Sequence, residues 1–589
     1  MATFWRLLGF LRPYRRGLIV SFALAAVAMG TGVLIPFLVG RTIDAIRKGE
    51  TNLWPLALAI VGAGVVRLVF SVARRLIAGR ISLGVEYDLR NRMYGHLQSL
   101  ELAFFDEQQT GQLMSRATVD LQAVRFFLGY GLIFILQSFV TIFVAAAVML
   151  ALNVELGLLA LAPAPLIFFA AQRYGRLNRP ASQEVQQRIA ELTAEVEENV
   201  GGIRLVKAFA REERQLGRVR DKAGRVFEQS MVSTRLRAFY NPFIGFLPNL
   251  GLAIVLLVGG RQAVNGRITI GEFVAFYGYV NLLVSPVRML GIALGMAQRA
   301  VGSGARVFEV LDRQPEMTVK QGAPDLPAGD GHVELRGVGF SYQGAGQEPV
   351  LDGIDLDVPA GRTIAIVGGT GSGKSTLVSL LPRLYDPSEG SVWIDGADVS
   401  AVRLESLRSQ VGLVSDDPFL FSDTVRNNIA YARADASQEE IEDAARRADI
   451  HDFVAGLPDG YDTLVGERGL NVSGGQRQRL AIARALVMDP RVLILDDATS
   501  SVDATTEAAI KRALRTLMEG RTTFIIGHRL STIALADEIV VLEGGRIAAR
   551  GTHDELVDAS DLYREIAEKG APDRVFLTRK PAEREVAGL

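Results

Sequence analysis

The chain has 589 residues, a net charge of −1 and no cysteine. That length exceeds one ordinary domain, the near-neutral charge gives no pull toward nucleic acid, and the lack of cysteine excludes disulfides, thiolate metal sites and thiol catalysis. The five histidines (His96, His332, His451, His528 and His553) show no metal-ligand spacing, and a mean hydropathy of +0.22 points to membrane segments.

The first 16 residues carry Arg6, Arg12, Arg15 and Arg16 among Phe4, Trp5, Leu7, Leu8, Phe10 and Leu11. This pattern suits an interfacial amphipathic helix on the cytoplasmic surface, not a cleavable signal. Six apolar stretches follow, each long enough for the roughly 20 helical residues that cross a bilayer. They fall near Gly17–Val39, Trp54–Ala78, Phe127–Leu152, Leu156–Arg176, Ala238–Gly259 and Gly271–Leu294.

The long connections after the second and fourth spans are rich in Arg and Lys, whereas Asn153, Val154 and Glu155 between the third and fourth carry no positive charge. Positive-inside logic puts both termini and the two long connections in the cytoplasm. Arg41, Arg47, Lys48, Arg261 and Arg267 run against it in the outer links. The stretches Ser182–Val200 and Arg204–Val226 read as amphipathic helix, so the spans continue beyond the bilayer. Arg67 lies mid-span, where a charge faces a cavity or a partner, with pairing or snorkelling the commoner outcome. Aromatics of the last two spans, such as Phe239, Tyr240 and Tyr277, either line a pocket for an amphipathic substrate or face lipid.

The expected organisation is a membrane domain over 1–312, a polar linker over 313–331, a soluble α/β domain over 332–570 and a charged tail over 571–589. In the soluble part, Gly368-Gly369-Thr370-Gly371-Ser372-Gly373-Lys374-Ser375-Thr376 fits the phosphate-cradling loop G-x-x-x-x-G-K-[ST]. Its glycines let backbone N–H groups close around phosphate oxygens. Lys374 adds a charge for the β- and γ-phosphates, and Ser375 a hydroxyl for Mg²⁺. Arg362 to Val367 reads as the strand before the loop, and Leu377 to Leu381 as the helix after it. Arg491 to Asp497 is an apolar strand ending in Asp496 and Asp497, placed to hold Mg²⁺. Val472-Ser473-Gly474-Gly475-Gln476 precedes a helix whose free N–H groups suit another phosphate. His528 follows the strand Thr523–Ile526, within reach of a γ-phosphate, and Tyr342 offers a ring to a base.

In these motifs the soluble half resembles the nucleotide-binding domain of the ATP-binding cassette (ABC) transporters, whose signature is Ser-Gly-Gly-Gln. The membrane half resembles the six-helix exporter half-transporter, through Phe104-Phe105-Asp106, Thr110-Gly111, Ser115-Arg116 and Asp120, and through Gly202-Ile203-Arg204, Val206 to Phe209 and Glu212. The implied fold is an all-α six-helix membrane domain followed by an α/β P-loop domain with a RecA-like core and a helical subdomain.

The resemblance implies that Tyr342 stacks on adenine. Gly371, Gly373, Lys374, Ser375 and Thr376 hold phosphates and Mg²⁺, which Asp496 supports. Ser473, Gly474, Gly475 and Gln476 contact the ATP of the opposite subunit. Asp503 lies in the loop that crosses between subunits, and His528 is the switch histidine. ATP and Mg²⁺ are the implied cofactors. A second half-transporter, the bilayer and a small amphipathic substrate (lipid, drug or peptide) are the implied partners, and a bacterial inner or plasma membrane is the implied location. The coupling segments are expected near Gln112–Val119 and Phe209–Arg218.

Two positions depart from the family pattern. Asp497 stands where a catalytic Glu follows the Mg²⁺ aspartate, and Asp416 stands where a Gln contacts Mg²⁺. One reading is drift with activity kept, in a homodimer whose carboxylate is Asp497. The other is a degenerate site in a heterodimer whose different partner carries the Glu. The second is favoured because both changes fall on the same ATP. An ATP-gated channel, or an importer using the exporter fold, remains an alternative function.

Overall fold

Long apolar runs leave the backbone of the first half only one way to satisfy its polar groups in lipid, which is helix. A computed structural model describes residues 2–317, 322–342, 349–466, 469, 472–496, 504–527 and 530–569. Helix α1 (Ala2–Gly9) is followed by α2 (Arg15–Arg47), α3 (Trp54–Ser99) and the short α4 (Leu102–Glu107). Next come α5 (Thr110–Leu152), α6 (Val154–Gly201), the short α7 (Ile203–Ala208), α8 (Glu212–Val264) and α9 (Ile270–Leu311). The six longer helices α2, α3, α5, α6, α8 and α9 are each long and apolar enough to cross a membrane. Helix α8 has 53 residues, far more than a bilayer needs, so the spans continue beyond it as expected.

The chain forms two compact units. One comprises residues 1–98 and 110–313; the other comprises 99–109 together with the chain from Gln314 onward. In the first unit, α2 and α9 touch through their backbones. A methyl group added at Gly40 would lie 2.4 Å from the Gly271 carbonyl oxygen. The Gly271 N–H donates to Asp44 Oδ1 at 2.8 Å, and Thr269 caps α9 reciprocally with Glu272. Helix α1 does more than lie at an interface: its Leu7 is buried against Gly304 of α9, and Leu11, just beyond the helix, is buried too. Arg6 donates two 2.6 Å hydrogen bonds to Asp312 and lies 3.8 Å over the Phe308 ring. Buried Glu195 of α6 takes Lys222 of α8 at 2.6 Å, and buried Asp120 of α5 accepts from Arg306 Nε of α9 at 2.8 Å. Two π-helical turns, Arg116–Asp120 and Phe127–Gly131, interrupt α5.

The second unit has two sheets. Strands β1 (Val333–Phe340), β2 (Leu351–Val358), β4 (Glu389–Ile394) and β5 (Ala397–Asp398) make an antiparallel sheet in the order β2-β1-β4-β5. The other sheet runs β10-β9-β3-β8-β7-β6. It is built from β3 (Thr363–Gly368), β6 (Val411–Val414), β7 (Val492–Asp496), β8 (Thr522–Ile526), β9 (Glu538–Glu543) and β10 (Arg546–Gly551). All its pairings are parallel except β10 with β9. Strand β3 is buried throughout, and its side chains alternate between two cores. Ile364 and Ile366 pack toward the antiparallel sheet, while Ala365 and Val367 pack toward the helical side with Leu480 and Ile482.

Candidate functional site

The phosphate loop joins β3 to helix α10 (Lys374–Ser379), so the helix starts earlier than the sequence pattern indicated. Gly373 caps that helix at φ +96, a left-handed conformation that a side chain resists. A methyl group there would meet Leu351 Cδ2 at 2.7 Å, and one at Gly368 would meet the Leu542 carbonyl oxygen at 2.3 Å. Lys374 is buried and donates to the carbonyls of Gly368 (2.9 Å) and Gly369 (2.8 Å). Ser372 Oγ is buried without a hydrogen-bond partner. A cradle that excludes Cβ atoms and keeps an unsatisfied hydroxyl inside it fits a phosphate oxygen. Thr370, Gly371 and Ser375 are exposed at its mouth.

Asp496 ends β7 half-buried, in register with Ile526 of β8, which is itself in register with Ile366 of β3. The carboxylate strand therefore stands two strand spacings, roughly 10 Å, from the strand that feeds the loop. The strand between them, β8, leads toward residue 528. His528, Asp497 and Asp503 lie outside the described residues. Asp416 is exposed, and the Ser415 carbonyl just before it accepts from Gln478 Nε2 at 3.1 Å. Gln478 belongs to helix α11 (Gly474–Met488), so this segment is tethered to the helix of the signature turn.

In that turn Ser473 is the N-cap. Gln476 N donates to Ser473 Oγ at 3.3 Å, and Ser473 N donates to Gln476 Oε1 at 2.8 Å. Ser473 is exposed and Gly475 is buried. The sequence pattern had begun this helix at Arg477, but the capping box pulls Gly474 to Gln476 into its first turn.

The Tyr342 hydroxyl and Thr376 Oγ1 share a 3.0 Å hydrogen bond, which joins the expected adenine ring partner to the phosphate loop. Its ring packs edge-on against Phe340 and Tyr385. Tyr385 is a residue that motif reading passed over. Its hydroxyl donates to Asp106 Oδ2 at 2.6 Å, within the unit that contains both. Burial first, and then this hydrogen bond, push the Tyr385 phenol well above its ordinary value. A cavity of about 270 Å³ opens here, lined by Glu101, Ala103, Phe340, Tyr342 and Tyr385 among others. The signal available in the sequence was Phe104-Phe105-Asp106, singled out without a partner. Segment 99–109, which includes α4 and immediately precedes the expected Gln112–Val119, belongs to the same unit as the cassette. The reason is local: extended backbone at Glu101 and Gln108 isolates α4, whereas Gln112–Val119 continues into α5.

Residues 18–287 match the family of the ABC transporter transmembrane region, and residues 351–500 match the ABC transporter family. The chain belongs to the ABC exporters. This exporter chain is 36% identical over 566 residues to the ATP-dependent lipid A-core flippase of Syntrophus aciditrophicus, covering 96% of this chain and 94% of that one. It is 41% identical over 589 residues to the multidrug efflux ATP-binding/permease protein of Mycobacterium tuberculosis. That match covers 99% of this chain and 49% of the relative, so the chain spans about half that relative's length. Among solved structures it resembles a bacterial Atm1-family ABC exporter with ATP bound, with a TM-score of 0.78 and 30% identity, over 97% of this chain and 99% of that one. The exporter is an integral membrane protein whose cassette binds ATP and couples its hydrolysis to export, and half-transporters of this fold work as dimers.

Proposed function

We propose that this chain is the degenerate-site half of a heterodimeric exporter of amphipathic or hydrophobic molecules. The observation that carries the reading is the pair of carboxylates Asp497 and Asp416, where the family pattern has Glu and Gln. Asp is one methylene shorter than Glu, a retreat of roughly 1.5 Å, and a misplacement of about 1 Å costs on the order of 100-fold in rate. Asp416 adds an anion beside phosphates. The phosphate loop and the Ser473–Gln476 turn keep every residue of the pattern. In this reading the chain holds its own ATP through Gly368 to Thr376, with Tyr342 on the base, and lends its signature to the partner's ATP. His528 and Asp503 serve as the switch and crossing residues. Mg²⁺ fits the hard oxygen donors Ser375 and Asp496, with Asp416 close in the same motif set. The cassette, over 332–570, and both termini face the cytoplasm of a bacterial plasma membrane.

The relatives support this. One is named for multidrug efflux and one for a lipid A-core flippase, which favours amphipathic cargo. The multidrug relative is about twice as long as this chain, which supports a working unit of two halves.

The test is ATP turnover by this chain alone in lipid nanodiscs. Turnover is expected to be slow, and Asp497→Glu is expected to raise it, by up to about 100-fold. Fast turnover that Asp497→Asn abolishes would establish a homodimer with Asp497 as the catalytic carboxylate and would refute the degenerate-site reading.

A further inference from the structure

Helix α5 carries two π-turns, Arg116–Asp120 and Phe127–Gly131, and α9 packs against both. A turn that closes five residues back holds one residue more than an α-turn, and such bulges gather at functional sites. The two turns differ in their surroundings. In the second, Phe127, Leu128, Gly129 and Gly131 are all buried. Its Phe127 ring lies 5.9 Å from that of Phe4 of α1, and a methyl group at Gly129 would overlap Ser82 of α3. Just before it, Arg125 Nη1 pairs with buried Glu86 of α3 at 2.9 Å. The second turn is therefore wedged.

The first turn is open on one side. Thr118 is exposed, and Val119 is 61% exposed. The Thr118 hydroxyl donates to the Met114 carbonyl at 2.7 Å, a side-chain bond of the kind that competes with the helix ladder. The other side is held by charge. Asp120, 4% exposed, accepts from Arg306 Nε of α9 at 2.8 Å and again from its Nη2, and Arg116 Nη2 lies 3.2 Å from Glu309 of α9. Parting Asp120 from Arg306 would leave a buried carboxylate unpaired, so the turn is locked while that pair stands. Below the turn is a stub of 6 residues, Thr110–Ser115, and residues 99–109 just before it belong to the cassette's unit. Any movement of segment 99–109 enters α5 through this stub.

We propose that Arg116–Asp120 is a register joint of the exporter, latched by Asp120 and Arg306, and that Phe127–Gly131 is its fixed end. The spare residue of a π-turn is the slack. Returned to α geometry, it turns the stub by about 100° and moves it by about 1.5 Å along the axis. A regular α-helix could pass on such a displacement only by carrying the whole span with it. The inference rests on an ATP-driven export cycle and is independent of the degenerate-site reading.

The experiment is hydrogen exchange read by mass spectrometry on the full chain in lipid nanodiscs, with and without Mg-ATP. Amides of 116–120 are expected to exchange at least about 10-fold faster than those of 127–131, and to respond to ATP while 127–131 do not. Asp120→Asn is expected to quicken 116–120 by about 10-fold and to leave 127–131 within about 2-fold. Deleting Thr118 removes the spare residue without shifting the helix on either side. It is expected to leave thermal stability unchanged or raised and to abolish the ATP response of 110–120. Deleting Ala146, from a regular part of α5, throws the helix out of phase and is expected to lower stability. First-turn exchange as slow as that of the second, an ATP response absent from the unmodified chain or surviving the Thr118 deletion, or a Thr118 deletion as damaging as that of Ala146 would overturn the joint. An equal rise in both turns in Asp120→Asn would make the ion pair a general brace and overturn the latch. Binding of a fluorescent ATP analogue to the same samples separates these outcomes from failure of the export reading.

Discussion

Replacing Tyr385 with Phe removes one atom from the contact between segment 99–109 and the cassette. The ring keeps its packing against Phe340 and Tyr342, so the only loss is the 2.6 Å hydrogen bond to Asp106. Hydrogen bonds to charged groups contribute about 1.5–3 kcal/mol. Asp106 is exposed and regains water when the bond is lost, which places the cost at the lower end, about 1.5 kcal/mol. That corresponds to roughly 10-fold in the equilibrium between docked and undocked segment. Hydrogen exchange of backbone amides in 99–109 is expected to quicken by about that factor, with ATP affinity unchanged because the phosphate loop is untouched. Asp106→Asn is expected to give a smaller effect, and the double variant no more than Tyr385→Phe alone. Exchange identical to that of the unmodified chain would refute the claim that this bond holds the segment.

Gly373→Ala forces a side chain to φ +96 against Leu351 and is expected to weaken binding of a fluorescent ATP analogue at least 10-fold, a strain of roughly 1–2 kcal/mol plus the clash. Gly40→Ala is expected to destabilise the α2–α9 contact by about 1–3 kcal/mol in thermal unfolding, whereas Gly30→Ala, which meets nothing within 4 Å, is expected to be neutral. The hydrogen bonds from Arg6 hold the Asp312 carboxyl below its ordinary range. Their contribution is therefore present above the unfolded value of about 3.9 and lost as pH falls through the lower folded value. Hydrogen exchange of α1 is expected to rise beyond its intrinsic pH trend only below about pH 4, and Asp312→Asn to show the raised rate already at pH 7.

The helices and the phosphate loop were readable because each is written locally. Apolar runs of sufficient length become spans, and a strand, a glycine-rich turn and a helix lie next to one another between Thr363 and Ser379. Helix starts were misjudged by a few residues where caps decide them, as at Ser473, because the Gln476 side chain turns back on the N-cap. The Asp106–Tyr385 bond was not legible, since 279 residues separate its ends and neither residue type is unusual. The burial of Leu7 in α1, and of Leu11 just after it, was likewise hidden: an amphipathic pattern shows which face is apolar but not whether lipid or protein covers it.

The division of the chain has a consequence for recombination. Because 99–109 belongs to the same unit as the chain beyond Gln314, the backbone passes between units three times, at 98/99, 109/110 and 313/314. A chimera joined at residue 313 alone would import a foreign surface beneath a native Phe104-Phe105-Asp106. By this division the cassette of this chain is expected to transplant as a two-piece graft, and an exchange of halves at one breakpoint to leave a mismatched seat at Tyr385.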